Sequence, residues 1–270
     1  MLKKLQRGFT LIELLVVIAI IALLLAILMP SLGKAKDKAK QIVCKSHLKD
    51  IGLSINMFLH NNDNKTPEEF GGFYRWINPA TNREYEPGDT GYRNTYWGIA
   101  FKDYAKNKKI FSCPSFGQFK LDLASSYIEY AMDDTKIEGG YGINEYFEDI
   151  KVTSIRTPSK YIITQDHVEP HPESRRDGDL FFIKQGQTYN VPNYRQGGNR
   201  TDRYRGLFRH SKKNSALDTP AGDPTRRANI NNNPNGQSDM LLLDGSVDAM
   251  DETTGENVRE SWYTGGIAAP

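Results

Sequence analysis

The sequence predicts an α+β protein in which one long N-terminal helix packs against a C-terminal head with a small antiparallel sheet and long loops. Two observations lead to this prediction: an uninterrupted apolar run near the N-terminus, and short strand-like segments separated by polar loops later in the chain. Of the 270 residues, 38% are hydrophobic, which is enough for one sizeable core. The net charge of +2 gives no reason to expect nucleic acid as a partner.

The apolar run covers residues 9–29, where only Thr10 and Glu13 are polar. A helix of this length spans about 30 Å, which is close to the thickness of a bilayer core. The run therefore predicts a membrane-spanning helix. Glu13 needs a partner, because a charged side chain in the bilayer core costs about 3 kcal/mol on insertion scales.

Residues 1–8 form a short basic leader that ends in Gly8 and lacks the small-x-small cleavage site of a secretory signal. The apolar run that follows is also longer than the apolar core of such a signal. If the chain is cut after Gly8, Phe9 carries a new α-amino group one helical turn from Glu13. A neighbouring subunit could then present this cation to Glu13.

The Lys-rich leader, Gly8, the sequence Phe9-Thr10-Leu11-Ile12-Glu13 and the apolar run resemble the N-terminus of type IV pilins and type II secretion pseudopilins. The resemblance implies that a prepilin peptidase cuts between Gly8 and Phe9 and N-methylates Phe9, and that Glu13 guides docking into a filament. It implies a structural subunit, of either a pilus or a secretion pseudopilus, whose partners are the peptidase and identical or related pilin subunits. The alternative is an unprocessed inner-membrane-anchored binding module or enzyme with an exported head.

The expected topology is a single pass through the bacterial inner membrane, with the head in the periplasm or outside the cell. One signal disagrees: Lys34, Lys36, Lys38 and Lys40 outnumber the three leader cations, and the positive-inside rule would place them in the cytoplasm. The leader is still predicted inside, because the processing signal and the exportable cysteines require it. Removal of the leader would take the net charge from +2 to −1.

Cys44 and Cys113 are the two cysteines of the chain. They suit a domain exported to an oxidising space, where they could form a disulfide. Closing a loop of about 70 residues would stabilise the fold by roughly 4 kcal/mol in the chain-entropy model. The alternative is two unpaired buried thiols.

After the apolar run, Pro30 predicts a kink or local melting of the helix. Residues 30–60 then continue as an amphipathic helix, because apolar side chains recur at three- and four-residue spacing at Leu48, Ile51, Ile55 and Phe58. Polar residues 61–65, before Pro67, predict its end. Residues 61–270 are the predicted head.

Within the head, residues 96–104 predict a short helix, and residues 161–164 and 180–183 predict strands. The dipeptide Asp244-Gly245 lies between residues 241–243 and 246–250 and is the strongest hairpin signal of the chain. Long loops rich in Gly, Asn, Pro and charge are predicted at residues 70–93, 185–204 and 211–238.

Three features of the chain after the apolar run resemble pilin-like proteins common in planctomycetes: residues 45–64, the Cys113-Pro114-Ser115 sequence, and a His followed by Asp-Gly. In those proteins nine residues separate the last two elements, whereas 33 residues separate His210 from Asp244 here. An insertion at about residues 211–238 accounts for the difference. Because of this departure, no role is carried over to His210 or Asp244.

No catalytic or metal site is predicted. Residues 166–171 contain two His and two carboxylates, but Pro170 argues against the helix that a zinc site with two histidines one helical turn apart needs, which favours a surface loop. Acidic residues near 177–179 and 218–223 could supply oxygen ligands to calcium, but neither segment has the ordered ligand spacing of a calcium loop. No Gly-x-Ser-x-Gly motif is present. The expectation is a protein without cofactor that is not an enzyme.

Overall fold

The computed structural model describes residues 10–71, 76–78, 80–86, 88–91, 95–105, 107–116, 140–166, 183–184, 187–188, 209–210, 236–251 and 261–265. The chain divides into two compact units, Met1–Ala39 and Lys40–Pro270. We call the second unit the head. The architecture is the predicted α+β one, with a long N-terminal helix and an antiparallel sheet of four strands, and that prediction is confirmed.

The first element is helix α1, Leu11–Asn61, which ends where the polar run after His60 predicts. It continues through Pro30 without a break, so the predicted local melting is wrong. Proline lacks one backbone N–H donor, so one helical hydrogen bond is lost at this position. The helical hydrogen bonds before and after Pro30 can still form. Next to it, the Ser31 hydroxyl donates a hydrogen bond of 2.8 Å to the Leu28 carbonyl.

Within the head, α1 buries one face. Its buried apolar residues recur at helical spacing and are Cys44, Leu48, Ile51, Ile55 and Leu59. This spacing places them on one stripe, which agrees with the amphipathic pattern in the sequence. Gly52 lies on the same side, where a Cβ atom would come within 2.9 Å of Leu241 Cδ1. The stripe therefore packs directly against the sheet.

The described strands are β1 (Ile77–Asn78), β2 (Arg83–Glu84), β3 (Tyr141–Ile143), β4 (Ile162–Asp166), β5 (Ile183–Lys184), β6 (Gln187–Thr188), β7 (Gln237–Leu242) and β8 (Val247–Asp251). The main sheet has the order β3-β4-β7-β8, and all its neighbours are antiparallel. The pairs β1-β2 and β5-β6 form separate two-stranded sheets. β4 is buried along its whole length, as expected for a strand with neighbours on both sides.

The predicted hairpin at Asp244-Gly245 is confirmed, because it joins β7 to β8. Gly245 has φ +81°, a left-handed conformation that favours glycine. The Leu242 amide donates to the Ser246 carbonyl at 2.9 Å, and the Asp244 carboxylate accepts from the Ser246 amide at 2.9 Å. The hydrogen bonds from Ser246 lower the pKa of Asp244 and hold the turn closed.

Aromatic side chains fill the rest of the head core. The short helix predicted at residues 96–104 is a 3₁₀ helix, Trp97–Tyr104. Tyr96 Oη and Trp97 Nε1 both donate to the Tyr141 carbonyl, at 2.7 and 2.9 Å, and so tie this helix to β3. Phe111 packs edge-on against Trp97 with ring centroids 5.3 Å apart. A four-residue helix, α2 (Ser261–Thr264), follows the sheet.

Three predicted loops contain short elements. β1 and β2 lie inside the loop predicted at residues 70–93, and β6 lies inside the loop predicted at 185–204. β7 begins at Gln237, so the last two residues of the loop predicted at 211–238 belong to the sheet. Of the strand predicted at 180–183, residues 180–182 lie outside the described part, and Ile183 begins β5.

Candidate functional site

The N-terminus of α1 is closed by reciprocal hydrogen bonds between Thr10 and Glu13. The Thr10 amide and the Thr10 hydroxyl each donate to Glu13 Oε2 at 2.8 Å. In return, the Glu13 amide donates to Thr10 Oγ1 at 3.3 Å, and the Thr10 carbonyl accepts the first helical bond, from Leu14. This is a capping box, in which a Thr and a Glu three residues later satisfy each other's free amides. The structure therefore places Glu13 in the first turn of a well-formed helix.

The helix face around this box is apolar and open. Every described residue from 10 to 39 is exposed, and the side chains of Leu11, Ile12 and Leu23 are 78%, 73% and 64% exposed. By length and composition, α1 is the candidate membrane-spanning helix of the described chain. A surface of this kind suits a lipid bilayer or a bundle of similar helices, because water solvates it poorly.

Comparison with known proteins agrees with this geometry. The family model for the prokaryotic N-terminal methylation motif matches residues 3–29. This segment is therefore similar to the N-terminal methylation segment of prepilin-type proteins. The prediction of a prepilin-type N-terminus is thus confirmed for the segment that contains Glu13.

Two curated relatives match a longer stretch of the chain than the family model does. The type IV wide pilus major component PilA4 of Thermus thermophilus is 43% identical over 63 residues, which are 23% of this chain and 48% of the relative. The type II secretion system core protein G of Pseudomonas aeruginosa is 37% identical over 62 residues, which are 23% of this chain and 44% of that relative. The chain thus spans about half the length of the curated relatives it matches. No solved structure matches the chain.

The remaining predicted site residues lie in different places. Gly8 and Phe9, the predicted cleavage and methylation positions, lie outside the described residues. Cys44 on α1 and Cys113 lie in the head core, where the structure joins them in a disulfide with Cα atoms 5.2 Å apart. The sulfur pair is therefore part of the head and not of the prepilin segment.

The head also contains a buried polar cluster that the sequence analysis missed. Asp166, at the end of β4, was predicted in a surface loop, which is wrong: it is fully buried. Its Oδ2 accepts from the Asp239 amide of β7 at 2.7 Å and lies 3.1 Å from His210 Nε2. Its Oδ1 lies 3.5 Å from the Arg209 Nε atom. A strand end thus supplies a carboxylate to the core.

The second carboxylate of the cluster, Asp239, connects the sheet to α1. Its Oδ1 accepts from Gln41 Nε2 at 3.0 Å and lies 3.5 Å from Lys45 Nζ. Its Oδ2 lies 3.7 Å from His210 Nε2. Burial, followed by the negative charge of Asp166, raises the pKa of Asp239 to about 6. The two carboxylates repel each other, and the cations of Lys45 on α1 and of Arg209 offset this repulsion.

The imidazole of His210 lies at the centre of the cluster. Besides the two carboxylates, Cys113 Sγ is 3.6 Å from its Nε2 atom. His210 is held by paired backbone bonds with Gln237, of 3.1 and 2.8 Å, at the two ends of the predicted insertion. His210 thus lies beside Gln237, the first residue of β7. The sequence feature that could have pointed to His210 is the His and Asp-Gly pattern. The insertion lengthens the spacing between these two elements, and no role was therefore assigned to His210.

Proposed function

We propose that this chain is a structural subunit, a pilin or pseudopilin, of a type IV pilus-like or type II secretion filament. The observation that supports this best is the coincidence of a prepilin-type motif with a capped, fully exposed apolar helix at residues 10–39. Both curated relatives are named as components of a pilus or a secretion system and not as enzymes. In this proposal residues 1–8 are the leader and residues 9–29 are the filament-core helix.

The chain is stored as a precursor in the bacterial inner membrane, with the head in the periplasm. A prepilin peptidase cleaves after Gly8 and methylates the new amine of Phe9. Subunits then leave the membrane and pack their apolar helices together with identical or related subunits. Once the subunits are out of lipid, burial of this run against neighbouring helices holds the filament together, by about 25 cal/mol per Å² of apolar surface kept from water.

Glu13 sets the register of this packing. Both Thr10 donors fall on Glu13 Oε2, so the capping box leaves Oε1 to accept a hydrogen bond from the methylated amine of a neighbouring Phe9. A helix docked out of register would bury the Glu13 charge without this cation, which is strongly unfavourable. Apolar contacts alone would allow neighbouring helices to pack in many registers, and the Glu13 carboxylate selects one of them.

Mass spectrometry of the N-terminus of the protein from its native cells tests processing. The proposal expects a chain that begins at N-methylated Phe9. An intact Met1 in cells that possess the peptidase would contradict it, and would favour the unprocessed membrane-anchored module.

Two substitutions separate docking from capping. Glu13→Gln keeps an oxygen acceptor for Thr10 and removes the charge, whereas Thr10→Ala removes the cap and keeps the charge. We expect Glu13→Gln to lose most filament incorporation while it stays membrane-bound, and Thr10→Ala to lose less. Asp37→Ala, which removes an exposed acid of the same helix, is the matched control and should assemble normally. Normal assembly of Glu13→Gln would overturn the docking role.

A further inference from the structure

We propose that the head, when Cys44 and Cys113 are reduced, holds one zinc ion between the two thiolates, His210 Nε2 and the Asp239 carboxylate. The disulfide and the zinc site are then alternative states of the same pair of cysteines. This proposal concerns the head alone and does not depend on filament assembly.

The first three ligand atoms already lie together. One ligand atom from each of Cys44, Cys113 and His210 lies within 4.8 Å of the others, and all three residues are buried. Two thiolates on a tetrahedral zinc ion lie about 3.8 Å apart, for Zn–S bonds of about 2.3 Å. Reduction lets the sulfur atoms separate to this distance by rotation of the side chains. Thiolate and imidazole are the ligands that zinc prefers in proteins.

Asp239 is the fourth ligand because one of its oxygens is not engaged by a hydrogen-bond donor. Its Oδ1 is held by Gln41 and Lys45, whereas its buried Oδ2 has no hydrogen bond within the described residues and faces His210 Nε2 at 3.7 Å. Asp166 is engaged through both oxygens: Oδ2 accepts from the Asp239 amide, and Oδ1, which has no hydrogen bond within the described residues, lies 3.5 Å from the Arg209 Nε atom. Asp239 belongs to a second group of ligand atoms within 4.8 Å of one another, with Asp166 and His210, and His210 is shared with the group of the two cysteines. We assign Asp239 Oδ2 as the fourth ligand, reached through His210, and leave Asp166 outside the set.

The charges of such a site balance. The two thiolates, Asp166 and Asp239 supply four negative charges. Zinc supplies two positive charges, and Arg209 and Lys45, each 3.5 Å from one of the carboxylates, supply two more. A buried ion is tolerated when its charge is compensated locally. The two cations thus complement a metal site and do not exclude it.

The chemistry between the two states is simple. A phosphine reductant breaks the sulfur–sulfur bond, takes the oxygen of one water to become a phosphine oxide, and leaves that water's two protons on the two sulfur atoms. Zinc binding then displaces these two protons to solvent, because the thiolate is the ligand.

The test uses the full-length chain in detergent, reduced with a phosphine, and Co²⁺ as a spectroscopic substitute for zinc. We expect one Co²⁺ per chain, with thiolate-to-cobalt charge transfer in the near ultraviolet, intense tetrahedral visible bands, and loss of both on addition of one equivalent of Zn²⁺. The oxidised chain, which has the same sequence, is the control and should show no charge-transfer band. A reduced chain with two free thiols that binds no Co²⁺ would overturn the proposal.

Variants identify the ligands. In the reduced chain, His210→Ala and Asp239→Asn should each weaken Co²⁺ binding by about a hundredfold or more. His60→Ala, which changes an exposed histidine of α1, should have no effect. Undiminished binding in both ligand variants would overturn the assignment. The comparison of reduced with oxidised chain stays decisive even if His210→Ala fails to fold.

Discussion

The two parts of α1 use the same secondary structure for opposite purposes. In residues 10–39 every described side chain is exposed, although the segment contains the longest apolar run of the protein. In residues 40–61 a stripe of apolar side chains from Cys44 to Leu59 is buried, although other apolar side chains of this part, such as Ile42 and Leu53, stay exposed. The more hydrophobic part thus buries nothing within the chain, and the less hydrophobic part builds the head core.

This difference shows that hydrophobicity and stability are separate properties along one helix. Apolar residues stabilise a fold only when they leave water on folding, and residues 10–39 do not do so in the single chain. Their apolar character therefore does not stabilise the single chain, and in our proposal it serves contacts with lipid or with other chains. Substitutions in the two parts should consequently have different effects on the free energy of unfolding of the head.

The largest expected effect belongs to the sulfur pair that fastens the second part of α1 to the head. Replacing both Cys44 and Cys113 by Ser should lower the free energy of unfolding by about 4 kcal/mol, because the disulfide closes a loop with a sequence separation of 69 residues. Urea denaturation in detergent with a metal chelator present, followed by the fluorescence of buried Trp97, measures it. An unchanged urea midpoint would show that the stripe is held without this link.

Next in size is a matched pair of leucine substitutions. Leu48→Ala, at a fully buried position of the stripe, should cost about 3 kcal/mol through lost burial and the cavity left behind. Leu15→Ala, at a position 55% exposed, should leave the unfolding of the head unchanged. The same denaturation measurement applies to both variants. Equal destabilisation by the two would contradict the division of α1 into parts with separate functions.

Much of this contrast could be predicted from the sequence, because it rests on local patterns. The apolar run, the three- and four-residue spacing around Leu48 and Ile51, and the Asp244-Gly245 turn each reflect interactions between near neighbours. The structure confirms the helix, its end at Asn61 and the hairpin. Short strands inside the predicted loops were missed, since two-residue strands depend on partners and carry little periodicity.

The buried cluster around His210 could not be predicted, because its members are distant in the chain. Asp166, His210 and Asp239 come from β4, from the start of an insertion and from β7, and only the sheet register brings them together. A lone Asp in a sequence is also more often exposed than buried. The capping box, in contrast, involves only residues 10–13, so its sequence pattern is local. The sequence analysis assigned Glu13 a docking role and did not predict the cap.

A glycine pair gives the smallest and most discriminating test. A Cβ atom added at Gly33 would have no neighbouring atom within 4 Å, whereas a Cβ at Gly52 would lie 2.9 Å from Leu241 Cδ1. Alanine favours a helix over glycine by about 1 kcal/mol, so Gly33→Ala should increase the helicity of α1 and leave head unfolding unchanged. Gly52→Ala gains the same propensity but must displace a buried leucine, so we expect a net loss of about 1 kcal/mol.

Circular dichroism in detergent measures the helicity of the Gly33→Ala variant, and urea denaturation measures head stability in both variants. If Gly52→Ala stabilised the head, Leu241 would have to move without cost, and the contact between α1 and β7 would be looser than the structure shows. If Gly33→Ala changed head stability, the exposed part of α1 would contribute to the core after all. The changes in head stability caused by these two substitutions thus distinguish the part of α1 that packs in the head from the part that does not.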